Sequence, residues 1–252
     1  MVSPGPIAFS IMEYDIRWYG VLIGIGVILA VFLSYMRSNR YEIEQERILD
    51  IVIWVLPIGI VGARLYYVLF SWDYYMGDIS KIINIRNGGL AIHGGIIAGA
   101  LAAYFICKHY KLEILKVLDL FLPGVAIAQA IGRWGNFFNS EAHGGPTDLP
   151  WAILVNGEYV HPTFLYESIW CLALGIFLIT FERKRLFSGQ IACLYGILYS
   201  AERFFVEGLR TDSLMIGEFR QAQVISVCII LACLIIYTIL YKRNKLLKEK
   251  NI

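Results

Sequence analysis

Residues 223–241, QVISVCIILACLIIYTILY, run nineteen positions without a charged side chain. As a helix such a stretch rises about 28 Å, close to the roughly 30 Å hydrocarbon core of a bilayer. It is followed at once by Lys242, Arg243, Lys245, Lys248 and Lys250. A long apolar run with a basic flank is the pattern of a membrane helix whose C-terminal end is retained in the cytoplasm.

Working back from that helix, six more apolar stretches are found at about 18–35, 48–70, 90–107, 115–130, 164–181 and 191–205. The composition agrees, with 58% hydrophobic residues and a mean hydropathy of +0.62, against roughly 45–50% apolar residues in a soluble domain. The expected fold is an all-α polytopic membrane protein of about seven transmembrane helices, a single membrane domain over residues 1–252. The stretch 115–130 contains Asp119, Pro123 and Gln129, so a kinked or broken fourth span and a total of six remain open.

Orientation follows from the connections. Arg37, Arg40 and Arg47, then Lys108, Lys111 and Lys116, then Arg183, Lys184 and Arg185, and then the C-terminal cluster alternate with connections holding only Arg17, Lys81, Arg86, Arg133, Arg210 and Arg220. The richer set belongs in the cytoplasm, which puts the N-terminus outside and the C-terminus inside. Nothing before Trp18 reads as a cleavable signal peptide, so the first span is expected to direct insertion.

A net charge of +2 gives no reason to expect a nucleic-acid partner. The five cysteines all lie in apolar runs without a CxxC pair and read as small core residues, so they call for no metal. Gly20 with Gly24, and Gly95 with Gly99, have the four-residue spacing that lets helices approach closely in lipid.

The polar residues gather on the outer side. Segment 131–162 is too long and too rich in Gly, Asn and carboxylates for a bare linker. Its apolar anchors, Trp134, Phe137, Phe138 and the strand-like WAILV at 151–155, predict a small ordered extracytoplasmic cap. At the end of the sixth span Tyr199, Arg203, Glu207 and Arg210 recur at helical spacing and form one polar stripe. Arg203 and Arg64 lie within apolar stretches, where an arginine costs about 2.5–3.5 kcal/mol and usually faces a partner or a cavity. His93 sits in NGGLAIHGG at the start of the third span. Arginines without lysine in these motifs suit bidentate binding of an anion such as a lipid phosphate. There is no GxSxG elbow and no HExxH pair, which speaks against a serine hydrolase or a zinc protease.

Residues 132–144, GRWGNFFNSEAHG, closely resemble the signature of the bacterial prolipoprotein diacylglyceryl transferases. Further matches follow in the family's order over roughly residues 17–212: Arg17 to Gly20, Gly62 to Arg64, Gly89 to Gly95, His161 to Thr163 with Tyr166 and Glu167, and Tyr199 to Arg210. Trp134 and Ser140 stand at variable positions, and Ala142 and His143 replace bulkier apolar neighbours, so His143 is left outside the site.

The resemblance implies a seven-span enzyme of the bacterial cytoplasmic membrane with its active site toward the outer side. It would move the diacylglyceryl group of phosphatidylglycerol to the lipobox cysteine in the signal peptide of a prolipoprotein. A thioether would form and glycerol 1-phosphate would leave, in the first step of lipoprotein maturation, with no cofactor needed. Under that reading His93 is the candidate base, with the alternative that a nearby arginine lowers the pKa of the thiol itself, and Arg133 and Arg203 stabilise the leaving phosphate. Asn136 and Tyr199 donate hydrogen bonds, Glu141 and Glu207 hold the guanidinium groups, and Tyr19 meets the lipid headgroup. Arg64 and Arg210 serve either the substrate or structural ion pairs, and Gly144 is a backbone requirement. The alternatives are a transporter for an anionic solute or lipid, for which paired repeats with broken helices are missing, and a protein that binds lipoprotein precursors without turnover.

Overall fold

The computed structural model describes residues 2–85 and 88–250. Arg86, counted above among the outer basic residues, and Asn87, which opens NGGLAIHGG, lie outside the described residues. The chain is mostly helical: α1 (Trp18–Arg37), α2 (Gln45–Phe70), the short α3 (Trp72–Tyr75) and α4 (Ile79–Ile83), α5 (Ile92–His109), α6 (Ile114–Asn139), α7 (Thr163–Phe181), α8 (Gln190–Leu209) and α9 (Gln221–Lys250). Each of the seven apolar stretches is helical. Among the described residues five helices, α1, α2, α6, α7 and α9, are long and apolar enough to cross a membrane. The other two, α5 and α8, carry His93, Lys108 and His109, and Glu202, Arg203 and Glu207, respectively.

The fourth stretch is one continuous helix of 26 residues with Pro123 inside it. It extends nine residues beyond Ala130, so residues 131–139, expected in the cap, are helical. Three antiparallel hairpins complete the elements: β1 (Ile7–Ile11) with β2 (Tyr14–Arg17), β3 (Ile153–Val155) with β4 (Glu158–Val160), and β5 (Met215–Ile216) with β6 (Phe219–Arg220). The β3–β4 turn is Asn156-Gly157, both at positive φ, as a two-residue turn of the hairpin-favouring type requires.

The chain divides into two compact units, one made of the residues up to Ser34 and from Leu118 onward, the other of Tyr35–Val117. In the second, α2 and α5 pack closely through small residues. A Cβ on Gly62 would lie 2.1 Å from Ala98 Cβ, and one on Gly95 would lie 3.4 Å from the Gly59 carbonyl oxygen. Gly99 meets Val55 in the same seam. Gly20 and Gly24, expected to pack likewise, have no atom within 4 Å of a built Cβ among the described residues.

In the first unit the close contact on α1 falls instead at Gly26, where a Cβ would lie 3.1 Å from the Ala128 carbonyl oxygen, and at Ala30, opposite Gly124. Tyr19 presses on Gly135. These contacts step in opposite directions along the two helices, so α1 and α6 run antiparallel. Helix α7 is antiparallel to α6 as well: Gly175 meets Pro123 and Ile127, Ser168 donates to the Ala130 carbonyl and Phe164 packs on Phe137. Phe137, Phe164, Ile153, Val155 and Val160 form one buried cluster, which seats the β3–β4 hairpin on the adjoining ends of α6 and α7.

Asp119 ties the far ends of α6 and α8 together. Fully buried, it accepts hydrogen bonds at 2.8 Å from the backbone N–H groups of Gly189 and Ala192, and Arg185 lies 3.5 Å away. A carboxylate from another helix thus satisfies N–H groups at the start of α8 that have no intrahelical acceptor. Asp119→Ala should lower stability by about 1–3 kcal/mol, read as a fall in Tm in detergent. Asp119 is 14 residues, about 21 Å of helix, from Arg133, so activity per folded molecule should be unchanged.

Candidate active site

Of the stripe expected on α8, Tyr199, Arg203 and Glu207 lie on the helix and face α6 and α7, whereas Arg210 follows its last residue, Leu209, in extended backbone. Tyr199, Arg203 and Glu207 follow at one-turn intervals, and Arg203 pairs with Glu207 at 2.7 Å. Its other terminal nitrogen donates to Glu167 Oε1 at 2.7 Å. Glu167, in the second turn of α7, has no exposed surface. The same oxygen lies 3.2 Å from Arg133 Nη2 on α6, and that nitrogen also donates to Tyr199 Oη at 3.2 Å. One sealed carboxylate therefore holds two guanidinium groups from two helices.

Donor accounting separates these arginines from Arg64. A guanidinium has five N–H donors. Arg64 directs all three of its nitrogens to backbone carbonyls, at 2.7–2.9 Å, of Lys81, Ile82, Asn84, Gly88 and Gly89. The Tyr75 ring lies against it, 4.9 Å from the guanidinium carbon. Five acceptors for five donors make Arg64 the hub of the loop after α2, with nothing over for a substrate. A Cβ on Gly89, at φ +78°, would lie 2.3 Å from Arg64 Nη1, so glycine there is a condition of that hub. Arg133, by contrast, uses only Nη2 among the described residues, and none of its nitrogens is sealed away from solvent without a partner.

The remaining expected residues fall as follows. Asn136 donates its amide to Glu141 Oε1 at 3.1 Å, as does Asn139. Glu141, expected to hold a guanidinium, lies past the end of α6 and orders two asparagines instead; the holding carboxylates are Glu167 and Glu207. Tyr19 reaches the motif through Gly135, where a Cβ would sit 2.3 Å from its ring. Gly144 donates to the His161 carbonyl at 2.9 Å and bridges Arg210. A Cβ on Gly144 would lie 2.7 Å from His161 Cβ and 3.0 Å from the Leu209 carbonyl oxygen. Arg210 makes a bidentate pair with Asp212 at 2.9 and 2.7 Å, which holds the Asp212 carboxyl below the usual carboxylate range. His93 is exposed in the first turn of α5, with its ring 6.4 Å from that of Tyr66.

The first unit thus brings together Arg133, Tyr199, Arg203 and Glu207, with Tyr19, Asn136, Glu141, Gly144 and Arg210 along the adjoining helix ends, whereas Arg64 and His93 belong to the second unit. Sequence reasoning passed over Glu167 as a site residue, and also Glu202, which is buried with neither oxygen hydrogen-bonded. The signal was available. A carboxylate inside an apolar helix calls for a partner as surely as Arg203 does. Among the described residues no group of three His, Cys, Asp or Glu is placed to hold a metal.

Residues 6–239 match the prolipoprotein diacylglyceryl transferase family. The chain belongs to that family. It is 53% identical over 239 residues to the phosphatidylglycerol–prolipoprotein diacylglyceryl transferase of Finegoldia magna, covering 94% of this chain and 96% of the relative. The corresponding protein of Clostridioides difficile is 48% identical, with 95% and 96% covered, and that of Listeria innocua is 42% identical, with 96% and 91% covered. Membership of the prolipoprotein diacylglyceryl transferases, with five membrane-length apolar helices, makes this a multi-pass membrane protein.

Proposed function

We propose that this protein transfers the diacylglyceryl group of phosphatidylglycerol to the lipobox cysteine of prolipoproteins, with Arg133 and Arg203 on the phosphate. The observation that carries the assignment of the site is the pair of guanidinium groups anchored on Glu167. They are fixed in place, partly exposed at 20% and 22%, and Arg133 has donors to spare. Preorganised donors of this kind stabilise charge that develops on a leaving group.

In the reaction the cysteine sulfur bonds to C3 of the glyceryl group while the C3–O bond to phosphate breaks. The thiol proton is taken up by a base, and the electron pair leaves with glycerol 1-phosphate. Since the thiolate is the nucleophile, a neutral imidazole suits the base, and His93 takes that role. Tyr199 and Asn136 add hydrogen bonds at the phosphate, Tyr19 meets the headgroup, and Glu207 holds Arg203. Gly144 and Arg210 shape the backbone beside the site. Arg64 keeps its loop in order rather than binding lipid.

The enzyme sits in the bacterial cytoplasmic membrane with seven crossings, the N-terminus and the cap outside and the C-terminus in the cytoplasm. Two observations support a crossing by α8. Gln129 pairs with Tyr195 and Arg133 with Tyr199, a constant offset that makes α6 and α8 parallel, as two crossings separated by α7 would be. The basic connections alternate as that topology requires.

The test uses purified protein in detergent with phosphatidylglycerol and a lipobox peptide. Glycerol phosphate should be released only when peptide is present, with a matching gain in peptide mass, and His93→Gln should lose most of that turnover. Well-folded protein that yields neither release nor adduct would sink the assignment and bring an anion transporter forward.

A further inference from the structure

The polar stripe does not end at Tyr199. One turn further along α8, Tyr195 lies under it with the rings parallel, 5.6 Å apart and inclined by 5°. Tyr195 Oη donates to Gln129 Oε1 at 2.9 Å. Gln129 is one turn before Arg133 on α6 and so on the same face, about 6 Å nearer the middle of the helix. Its acceptor is taken, which orients the amide, and its Nε2 makes no hydrogen bond among the described residues, yet it is not sealed from solvent. The Gln129–Tyr195 rung therefore presents a fixed, open N–H donor one turn below the phosphate-binding pair. Polar side chains at such depth in a membrane helix usually face a cavity or a substrate.

We propose that Gln129 is a specificity-determining residue that donates to an ester carbonyl of the diacylglyceryl group, oriented for it by Tyr195. This rests on the transferase reading. With the phosphate on Arg133 and Arg203, the lipid group next along the molecule toward the bilayer centre is the pair of ester carbonyls on the glyceryl carbons. These accept hydrogen bonds and cannot donate, the complement of a free amide N–H. An ether-linked lipid of the same chain length has no carbonyl there, so the enzyme should tell esters from ethers at this one position.

The experiment compares diester phosphatidylglycerol with its diether analogue, for wild type, Gln129→Met and Gln129→Glu, by the peptide adduct assay with kcat and KM separated. Gln129→Met lacks the donor, and Gln129→Glu as the carboxylate lacks it too while keeping the acceptor for Tyr195. Wild type should have a KM for the diester about three- to tenfold below that for the diether, the value of one neutral hydrogen bond. In both variants the ratio should fall to about one. Because both lipids are compared within one preparation, the ratio does not depend on the fraction of folded protein, and either variant alone suffices. Equal KM values in wild type, or a preference that survives in a variant, would overturn the role of Gln129. Wild type inactive on both lipids would take down the transferase reading itself.

Discussion

Arg133→Lys should lower kcat/KM about 10²–10³-fold while leaving the protein folded. Lysine can keep a charge beside Glu167, so the buried carboxylate is not stranded. What it cannot keep is the planar fork that gives one nitrogen to Glu167 and Tyr199 and leaves the others for phosphate. Removal of one preorganised donor from such a site typically costs a factor of 10²–10³ in kcat. Initial rates of glycerol phosphate release, with Tm measured alongside, check the claim. A Lys variant within threefold of wild type would mean that Arg133 acts through charge alone.

Glu167→Ala should be the more damaging change to the fold. It removes the acceptor shared by Arg133 and Arg203 and leaves guanidinium charge without its partner in the interior, a class of change that costs about 3–5 kcal/mol. A large fall in Tm in detergent is expected, together with loss of turnover. Glu167→Gln keeps an oxygen in the place of the Oε1 that meets both arginines but loses its charge, so it should recover part of the stability and hold the two guanidinium groups less firmly, with activity between that of the Ala variant and wild type. Equal Tm for the Ala variant and wild type would show that Glu207 and Tyr199 alone suffice to position the pair.

The residues of the site were unequally visible in the sequence. Arg203 and its stripe on α8 were legible because residues three and four apart share a helix face, whatever surrounds it. Glu167 belongs to the same site but stands 36 positions away from Arg203 on another helix, and no periodicity links the two. Arg64 and Arg203 look alike as arginines in apolar runs. Only the carbonyls of Lys81, Ile82, Asn84, Gly88 and Gly89 around Arg64 show that one is fully occupied and the other is not.

Helix positions were read well from hydropathy, but the ends were not, for a physical reason. Hydropathy registers what a residue prefers to be bathed in, whereas a helix ends where its backbone hydrogen bonds stop. Hence Ile131 to Asn139, polar and aromatic, were assigned to the cap although they continue α6, and the lysine-rich tail after Tyr241 continues α9 to Lys250. Helix packing was half legible: Gly95 and Gly99 meet a neighbour, while Gly20 and Gly24 have the same spacing and meet none among the described residues. Spacing says that close approach is allowed, not which face another helix takes.

The matched rungs between α6 and α8 also bear on which lengths of this chain are free to vary. One residue inserted between Gln129 and Arg133, or between Tyr195 and Tyr199, would turn everything beyond it by about 100°, so that the two rungs could no longer form together. An insertion in the hairpin turn at Asn156-Gly157 would displace only the turn. Homologous chains of different length should therefore differ in the stretch between Asn139 and Thr163 or at the chain ends, and hardly ever by a single residue within the rungs.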